Sequence, residues 1–212
     1  MTMTNKMKVR LKNGKNNKVH ILLDGEYKMT VDGDFCLLAS LYDGKEITEE
    51  ELLLLESEVN VRRAFNKASE LLSRRDHSEK ELLFKLRKKG FSEGAEEAVE
   101  KLRGYGYVDD RRFAFSYAAE LKDLRHFGKR RIEQELFKKG IERSVISEVV
   151  SSLEFDENEL AELITRKYSK NLDTEKGVQK TINALVRAGY GYGEIKDALA
   201  VLAEGEGDFS NE

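Results

Sequence analysis

Three stretches of the sequence share one pattern: Ser78-EKELLFKLRKK-Gly90-Phe91, Gly128-KRRIEQELFKK-Gly140-Ile141 and Gly177-VQKTINALVRA-Gly189-Tyr190. In each stretch, Ser or Gly stands twelve residues before the last glycine, Leu stands four before it, and an apolar residue follows it. The last glycines are 50 and 49 residues apart. A period of this length is typical of helical repeat proteins, whose units bury their apolar faces against one another. An array of helices offers a surface to a partner more readily than it encloses a small molecule.

The residues around each stretch predict three helices per unit, because apolar residues recur at helical spacing before it, within it and after its last glycine. We therefore predict a mainly α fold of three tandem three-helix units in an elongated array, with a small N-terminal β-hairpin extension. The predicted boundaries are the extension at 1–47, unit 1 with a leading helix at 48–108, unit 2 at 109–155, unit 3 at 156–203 and a disordered acidic tail at 204–212.

Short polar side chains predict where several helices begin. They can accept a hydrogen bond from the first turn, and they are Thr48, Ser78, Ser92, Asp109 and Asp156. Glu51 and Glu81 follow two of them at the spacing of a capping box. The helix that begins after Thr48 is predicted to run to Glu56, and a separate helical pattern begins at residue 60.

The N-terminal extension has the signature of a β-hairpin. Two β-rich runs within 19–31 are joined by Asp24-Gly25, a pair that tolerates the positive φ of a type I′ turn. In this register Leu22 faces Tyr27, and His20 faces Met29. The alternating run at 7–12 could add a third strand across the Asn13-Gly14 turn, and 35–41 could form a short helix.

The composition favours long helices and limits the classes of protein. There is no proline, and charged residues make up 36% of the chain while the net charge is only −3. The one cysteine, Cys36, lies in an apolar run and fits a small core side chain in a reducing compartment. The sequence has neither a signal-peptide pattern nor a run of about 20 apolar residues. We therefore expect a cytoplasmic protein without membrane association.

The sequence offers little chemistry for catalysis. The histidines His20, His77 and His126 are far apart and lack the spacing of zinc ligands. Gly128-Lys129 lacks the preceding glycine of a phosphate-binding loop, and the glycines around Tyr190 and Tyr192 fit a connector better than a nucleotide fingerprint. No nucleophile stands beside a base. We predict no catalytic residue, no cofactor and no metal site, and hence a protein that is not an enzyme.

Basic residues are concentrated in the second helices of units 1 and 2. Residues 62–90 hold ten Lys and Arg against four Asp and Glu, and residues 122–140 hold seven against three. The candidate basic strip, predicted to bind a partner, consists of Arg74, Arg75, Lys85, Arg87, Lys88, Lys89, Arg125, Lys129, Arg130, Arg131, Lys138 and Lys139. One interpretation is a solvated face with lysines that favour helix C-termini. The other is a surface for an acidic partner or a phosphate backbone.

A DNA-reading helix–turn–helix is disfavoured. In such a motif the last helix enters the major groove and is usually rich in Arg, Lys, Asn or Gln. The third helix of unit 1, within 92–103, carries four glutamates instead. These carboxylates would face phosphates, so sequence-specific DNA binding is not expected.

The residues from Leu71 to Leu121 resemble the core of the RecX family. The motifs that carry the resemblance are His77-Ser78-x-x-Glu81-Leu82, Leu86-Arg-Lys-Lys-Gly90-Phe91, Gly106-Tyr-Val-Asp-Asp110-x-x-Phe113-Ala114 and Gly128-x-x-Arg131-Ile132-x-x-Glu135-Leu136-x-x-Lys139-Gly140-Ile141. The match extends over about residues 60–203, and the hairpin around Asp24 resembles an N-terminal extension found in some members. Unit 3 departs from the pattern, with Thr181 at a core position and Ala188 where the other units have lysine.

The resemblance implies tandem three-helix repeats and a role in DNA repair, recombination and the SOS response. It implies a monomeric regulator that lies in the groove of the RecA filament on single-stranded DNA and inhibits strand exchange and ATPase activity. Single-stranded DNA itself could be a further partner. Two alternatives stay open: direct nucleic-acid binding through the basic strip, and a protein–protein scaffold without RecA. Reversing Arg130 and Arg131 to Glu is expected to weaken function without unfolding the chain.

Overall fold

The structure, a computed structural model, describes residues 6–207, apart from the side chains of Glu157 and residues 204–207. It is mainly helical with a small antiparallel sheet, as predicted. In chain order the elements are β1 (Lys6–Asn13), β2 (Lys18–Leu23), β3 (Glu26–Asp32), α1 (Gly33–Leu38), β4 (Glu46–Thr48), α2 (Glu49–Leu72), α3 (Glu79–Lys88), α4 (Ala95–Gly104), α5 (Asp110–Asp123), α6 (Lys129–Lys138), α7 (Arg143–Ser152), α8 (Glu157–Tyr168), a 3-10 turn (Ser169–Asn171), α9 (Glu175–Ala188) and α10 (Tyr192–Gly207).

The chain forms two compact parts. The first comprises the residues up to Arg75 together with Leu82–Tyr107, and the second comprises Asp76–Glu81 together with the residues from Val108 onward. The division falls in the first turn of α3, so the start of this helix belongs to the second part.

The sheet has the strand order β3-β2-β1-β4. Asp24 and Gly25 have φ of 52° and 94°, as a type I′ turn requires. Leu22 pairs with Tyr27, as predicted. The predicted pairing of His20 with Met29 is wrong, because an irregularity between Ile21 and Leu22 shifts the register by one residue. His20 therefore pairs with Thr30.

The sheet is larger than the predicted hairpin. The expected third strand is β1, which pairs with β2 along its second half. At its other edge β1 pairs with β4. The sequence did not reveal β4, since three residues are too few to show alternation. The sheet core includes Val9 and Ile47, both 1% exposed.

Helix α2 is a single helix of 24 residues. Thr48 and Glu51 form the predicted capping box at its start. The predicted break before residue 60 is wrong, because no glycine interrupts this part and the buried stripe continues through Val59 and Val61. The first half of α2 packs in the sheet core, and the second half packs in a helical core with Ala64.

The second helices of the three units carry fully or almost fully buried side chains. In α3 and α6 these side chains are fully buried, and they are Leu82, Leu86, Ile132 and Leu136. In α9, Leu185 is 1% exposed, and Thr181 is buried with its hydroxyl donating to the Gly177 carbonyl at 3.1 Å. Each buried leucine or isoleucine contributes about 1.5–3 kcal/mol relative to an exposed one. The hydroxyl of Thr181 is satisfied locally, so unit 3 tolerates it in its core.

Two of the predicted caps differ in outcome. The Asp109 side chain accepts from the Arg112 amide at 2.9 Å, as predicted. Ser92 does not cap α4, because the N-cap is Gly94, at a φ of 73°. A Cβ on Gly94 would lie 2.5 Å from the Val61 backbone nitrogen. Close packing of α4 on α2 therefore requires glycine here and moves the start of the helix by two residues.

Helix α10 continues to Gly207, four residues into the segment predicted as a disordered tail. The remaining tail residues, 208–212, lie outside the described residues. Among the described helices, none is long and apolar enough to span a membrane.

The phenol of Tyr190 makes stability depend on alkaline pH. Its hydroxyl donates to the His126 carbonyl at 3.2 Å. Burial, with the nearby carboxylates Glu159 and Glu194, raises the pKa of Tyr190 to about 12. An unfolded tyrosine ionises near pH 10, so the unfolded chain loses this proton first. Stability is therefore unaffected by this group below about pH 10 and falls between about pH 10 and 12.

We expect Tyr190→Phe to lose about 1 kcal/mol at pH 8, because the hydrogen bond is removed. The variant should also show a shallower loss of stability above pH 10 than the unsubstituted protein. Urea unfolding at pH 8, 10 and 11 measures both effects. Tyr192→Phe is the control, because Tyr192 is 55% exposed. Equal alkaline slopes for all three proteins would contradict the expectation.

Candidate binding surface

The residues of the basic strip are not equivalent in the structure. Five of them form ion pairs with carboxylates. In four of these pairs the N–O distance is 2.8–3.0 Å. These pairs are Arg74–Glu70, Arg87–Glu96, Arg131–Glu135, Lys138–Glu135 and Lys139–Glu81. Arg75 and Lys85 have further interactions of their own. Much of the strip is therefore neutralised by neighbouring residues.

The other five cations are exposed and form no ion pair with the side chains that the structure describes. They are Lys88, Lys89, Arg125, Lys129 and Arg130. Lys88 and Lys89 belong to the first compact part, and the remaining three belong to the second. These five cations form two separate basic groups, one at the end of α3 and one at the start of α6.

The two groups differ in their relation to the helix dipole. Lys88 and Lys89 lie at the C-terminal end of α3, where cations are favourable. Lys129, Arg130 and Arg131 fill the first turn of α6, which contains no acidic residue. Each cation at a helix N-terminus is unfavourable by about 0.3–1 kcal/mol. The helix dipole therefore explains the first group but not the second.

Arg131 differs from Arg130 in its surroundings. Its guanidinium lies 2.9 Å from Glu135 and 5.5 Å from the centre of the Phe127 ring. Its Nε is buried and has no hydrogen-bond partner among the described residues. Arg130 is exposed. Arg131 therefore has a structural role as well as a charge, and reversing both residues together would combine two effects.

Lys129 and Lys139 contact aromatic rings. The Lys129 ammonium lies 5.2 Å from the centre of the Phe155 ring, and Lys122 lies 5.6 Å from the same ring. Lys139 lies 5.2 Å from the centre of the Tyr117 ring. Such contacts contribute about 0.5–1 kcal/mol at exposed sites. They fix the orientation of these lysines and leave the charge of Lys129 accessible.

The three repeat glycines form identical helix ends. Gly90, Gly140 and Gly189 have φ of 84°, 87° and 98°. In each case the amide of the residue after the glycine donates to the carbonyl of the leucine five residues earlier. The pairs are Phe91–Leu86, Ile141–Leu136 and Tyr190–Leu185. This is a Schellman motif with an αL glycine. The repeated sequence pattern therefore corresponds to the same type of helix C-terminus in all three units.

The end of α6 packs on the start of α3. The Ser78 hydroxyl donates to the Lys139 carbonyl at 2.6 Å, and the Lys139 ammonium lies 3.0 Å from the Glu81 carboxylate. A Cβ on Gly140 would lie 2.5 Å from the Lys80 side chain. We call this arrangement, in which the glycine end of one second helix meets the start of the preceding second helix, a repeat junction.

A second repeat junction joins α9 to α6. The Gly128 amide donates to the Ala188 carbonyl at 2.9 Å, and the Arg130 amide donates to the Gly189 carbonyl at 3.2 Å. A Cβ on Gly128 would lie 2.5 Å from the Gly189 backbone, and a Cβ on Gly189 would lie 2.4 Å from the Arg131 nitrogen. Sequence reasoning missed both junctions. The Ser or Gly twelve residues before each glycine was a signal for the junctions. Its partner lies in the next unit, and a sequence does not show which distant residues meet.

Unit 3 differs at the equivalent position. Gly177 lies inside α9, whose N-cap is Thr174. A Cβ on Gly177 would lie 1.9 Å from the Asn171 carbonyl oxygen. The start of α9 is therefore covered by the preceding 3-10 turn rather than being open to another helix end.

A cavity of about 920 Å³ lies beside the second junction, between the end of α5, α8 and α10. Its lining mixes cations such as Lys122 and Lys129 with carboxylates such as Asp156 and Glu159. His126 also lines it, and burial, together with Lys167 and Arg166, lowers the pKa of the imidazole. The mixed charges suit neither an anion nor a cation.

Family comparisons identify two of the three units. Residues 64–102 match the first three-helix domain of RecX, and residues 109–150 match its second three-helix domain. Regulatory protein RecX of Caldanaerobacter subterraneus is 35% identical over 190 residues, which cover 89% of this chain and 95% of that protein. Regulatory protein RecX of Clostridioides difficile is 33% identical over 201 residues, covering 92% and 94%.

Solved structures agree on the fold. A crystal structure of regulatory protein RecX has a TM-score of 0.66 at 24% identity, and it covers 90% of this chain and 99% of its own. RecX from Lactobacillus salivarius has a TM-score of 0.56 at 23% identity, covering 68% and 97%. At this identity the likeness supports the fold alone. The extent of the identity to the curated relatives decides the family, and this chain belongs to the RecX family of regulatory proteins.

Proposed function

We propose that this protein binds the RecA filament on single-stranded DNA and inhibits RecA's ATPase and strand-exchange activities, without itself being an enzyme. Membership of the RecX family supports a regulatory role. The single observation that carries the proposal is the cationic first turn of α6, Lys129–Arg131. This turn is unfavourable for the isolated helix, and a binding partner with negative charge would offset its cost.

The two basic groups would serve such a partner differently. Arg125, Lys129 and Arg130 present accessible charge at or just before the start of α6. Lys88 and Lys89 present charge at the C-terminal end of α3. Acidic side chains of a protein filament and the phosphates of its DNA both meet this description.

We expect substoichiometric amounts of the protein to slow the single-strand-dependent ATPase of the cognate RecA. A regulator that breaks or caps a filament acts on many subunits at once, so inhibition should begin well below one molecule per subunit. Steady-state phosphate release, with filament length measured by electron microscopy, tests this. Unchanged ATPase rates and filament lengths at equimolar protein would overturn the proposal.

A second candidate function is direct binding of single-stranded nucleic acid by the same cations. Each phosphate contact adds to the dependence of affinity on salt, so the logarithm of affinity would fall steeply with that of salt concentration. Titration of a labelled oligonucleotide between about 50 and 200 mM salt, with and without RecA, separates the candidates. Tight RecA-free binding with a steep slope favours the second candidate.

A further inference from the structure

The glycine end of α3 has the geometry of a repeat junction, but no second helix of the described chain packs on it. Gly90 shares its φ and its Schellman hydrogen bonds with Gly140 and Gly189. A Cβ on Gly140 or Gly189 would meet the preceding second helix at 2.5 or 2.4 Å, whereas a Cβ on Gly90 would have no described atom within 4 Å. Within the described chain, no backbone amide donates to the Lys89 carbonyl from outside the helix.

The two occupied junctions show what this helix end accepts. At Gly140 the occupant is the start of α3, where the hydroxyl of Ser78 donates to the carbonyl of Lys139. At Gly189 the occupant is the start of α6, where the amide of Gly128 donates to the carbonyl of Ala188. Both occupants are helix N-termini, and both donate to the carbonyl of the residue before the glycine. The position equivalent to Lys139 and Ala188 in unit 1 is Lys89.

The charge of Lys89 restricts which kind of helix can bind at the end of α3. At the first junction the Lys139 ammonium pairs with Glu81, the third residue after Ser78, at 3.0 Å. Unit 1 keeps this lysine as Lys89, which is exposed together with Lys88. Unit 3 has Ala188 instead. The end of α3 therefore suits a helix whose first turn carries a carboxylate three residues after its N-cap.

The second helices of another copy of this chain do not supply such an occupant. The start of α2 has the required Thr-x-x-Glu spacing, but its Thr48 is paired with Lys6 in the sheet. The starts of α3 and α6 are already engaged in the two internal junctions. The start of α9 is covered by the Asn171 carbonyl at Gly177. The second-helix starts that fit a repeat junction are therefore all taken within one molecule.

We propose that the end of α3, at Lys88–Gly90, is a docking site for the N-terminus of a helix in a partner protein. This helix begins with Ser or Thr followed three residues later by Glu. Its hydroxyl donates to the Lys89 carbonyl, and its carboxylate pairs with the Lys89 ammonium. The C-terminal end of α3 and the N-terminal end of the bound helix carry opposite partial charges, which add to the attraction. The site would extend the array by one helix taken from the partner.

A peptide tests the site without any recombinase. The probe is a stapled helical peptide of about 20 residues that begins with Ser-Glu-Lys-Glu, the start of α3, and the control peptide begins with Ala-Gln-Lys-Gln. Addition of the first peptide to 15N-labelled protein should shift the amide signals of Lys88, Lys89 and Gly90, and the control peptide should shift them at least about fivefold less at the same concentration. No shift at these residues would overturn the proposal.

Matched variants sharpen the test. Gly90→Asn keeps the left-handed backbone, which Asn tolerates, but places a side chain over the site. Gly106→Asn is the control, because Gly106 has a φ of 75° and equally open surroundings. Peptide-induced shifts should disappear in Gly90→Asn and persist in Gly106→Asn. Persistence in both variants would show that the peptide binds elsewhere, and the proposal would fail.

A second measurement uses the RecA filament and rests on the proposed function. Gly90→Asn should weaken binding to the filament at least about fivefold relative to Gly106→Asn. Failure of the unsubstituted protein to bind the filament would count against the proposed function, and the peptide experiment then decides the docking site alone. Equal filament binding by the two variants would exclude Gly90 from the filament interface.

Discussion

Gly189→Ala is expected to destabilise the protein by about 3 kcal/mol or more. Alanine at a φ of 98° costs about 1–2 kcal/mol. The new Cβ would also lie 2.4 Å from the Arg131 backbone nitrogen, and overpacking against backbone costs about a further 1–3 kcal/mol. The repeat junction between α9 and α6 would have to open. Urea unfolding followed by circular dichroism measures the loss.

Two further glycines serve as controls for this prediction. Gly90→Ala has almost the same φ but open surroundings, so it should show only the backbone cost of about 1–2 kcal/mol. Gly128→Ala has a φ of −77° and should show only the cost of the contact with the Gly189 backbone. If Gly189→Ala and Gly90→Ala lost equal stability, the junction would contribute nothing.

Arg130→Glu is expected to weaken filament binding about tenfold while leaving the fold intact or slightly more stable. The side chain is exposed and has no ion pair among the described residues, so its reversal removes an attraction and adds a repulsion toward a negative partner. A carboxylate in the first turn of α6 would gain at most about 0.3–1 kcal/mol from the helix dipole, because the carbonyl end of α9 packs on the same turn. Opposite changes in affinity and stability are the signature of a residue kept for binding.

Lys180→Glu is the matched control, because it makes the same change in net charge on an exposed residue of α9. Filament affinity and melting temperature would be measured for both variants. Equal affinities would show that only total charge matters and would remove the special role of α6. Arg131→Glu is not a suitable substitute, because it would set a carboxylate beside Glu135 in a half-buried position.

Much of the fold could be predicted from local patterns. The leucine four residues before each repeat glycine predicted both the buried face and the end of each second helix. Its side chain packs in the core, and its carbonyl accepts a hydrogen bond at the helix terminus. The cap at Asp109 was equally local. The position of Gly94 was not, because the approach of Val61 that requires glycine comes from a residue 33 positions earlier. A register shift at Ile21 likewise leaves no mark in the composition of the strand.

The candidate surface was predicted only as a set of charges. Sequence reasoning grouped Arg130 with Arg131, since neither charge nor spacing separates neighbouring arginines. The structure separates them by the Glu135 and Phe127 contacts of Arg131. The chain's own ion pairs neutralise five members of the strip, and two of these pairs, Arg87–Glu96 and Lys139–Glu81, join residues from different helices. Such long-range pairing follows from the packing of the units and cannot be read from a charge count.

The length of α2 couples two pieces that look separate in the sequence. Leu52 and Val59 anchor one half of this helix in the sheet core, while Val61 and Ala64 anchor the other half against α4. Heat or denaturant that melts either half exposes the buried face of the other, and no glycine hinge lies between them. The sheet and the first helical unit should therefore unfold as one cooperative block. A change that destabilises the strands would also destabilise the first helical unit.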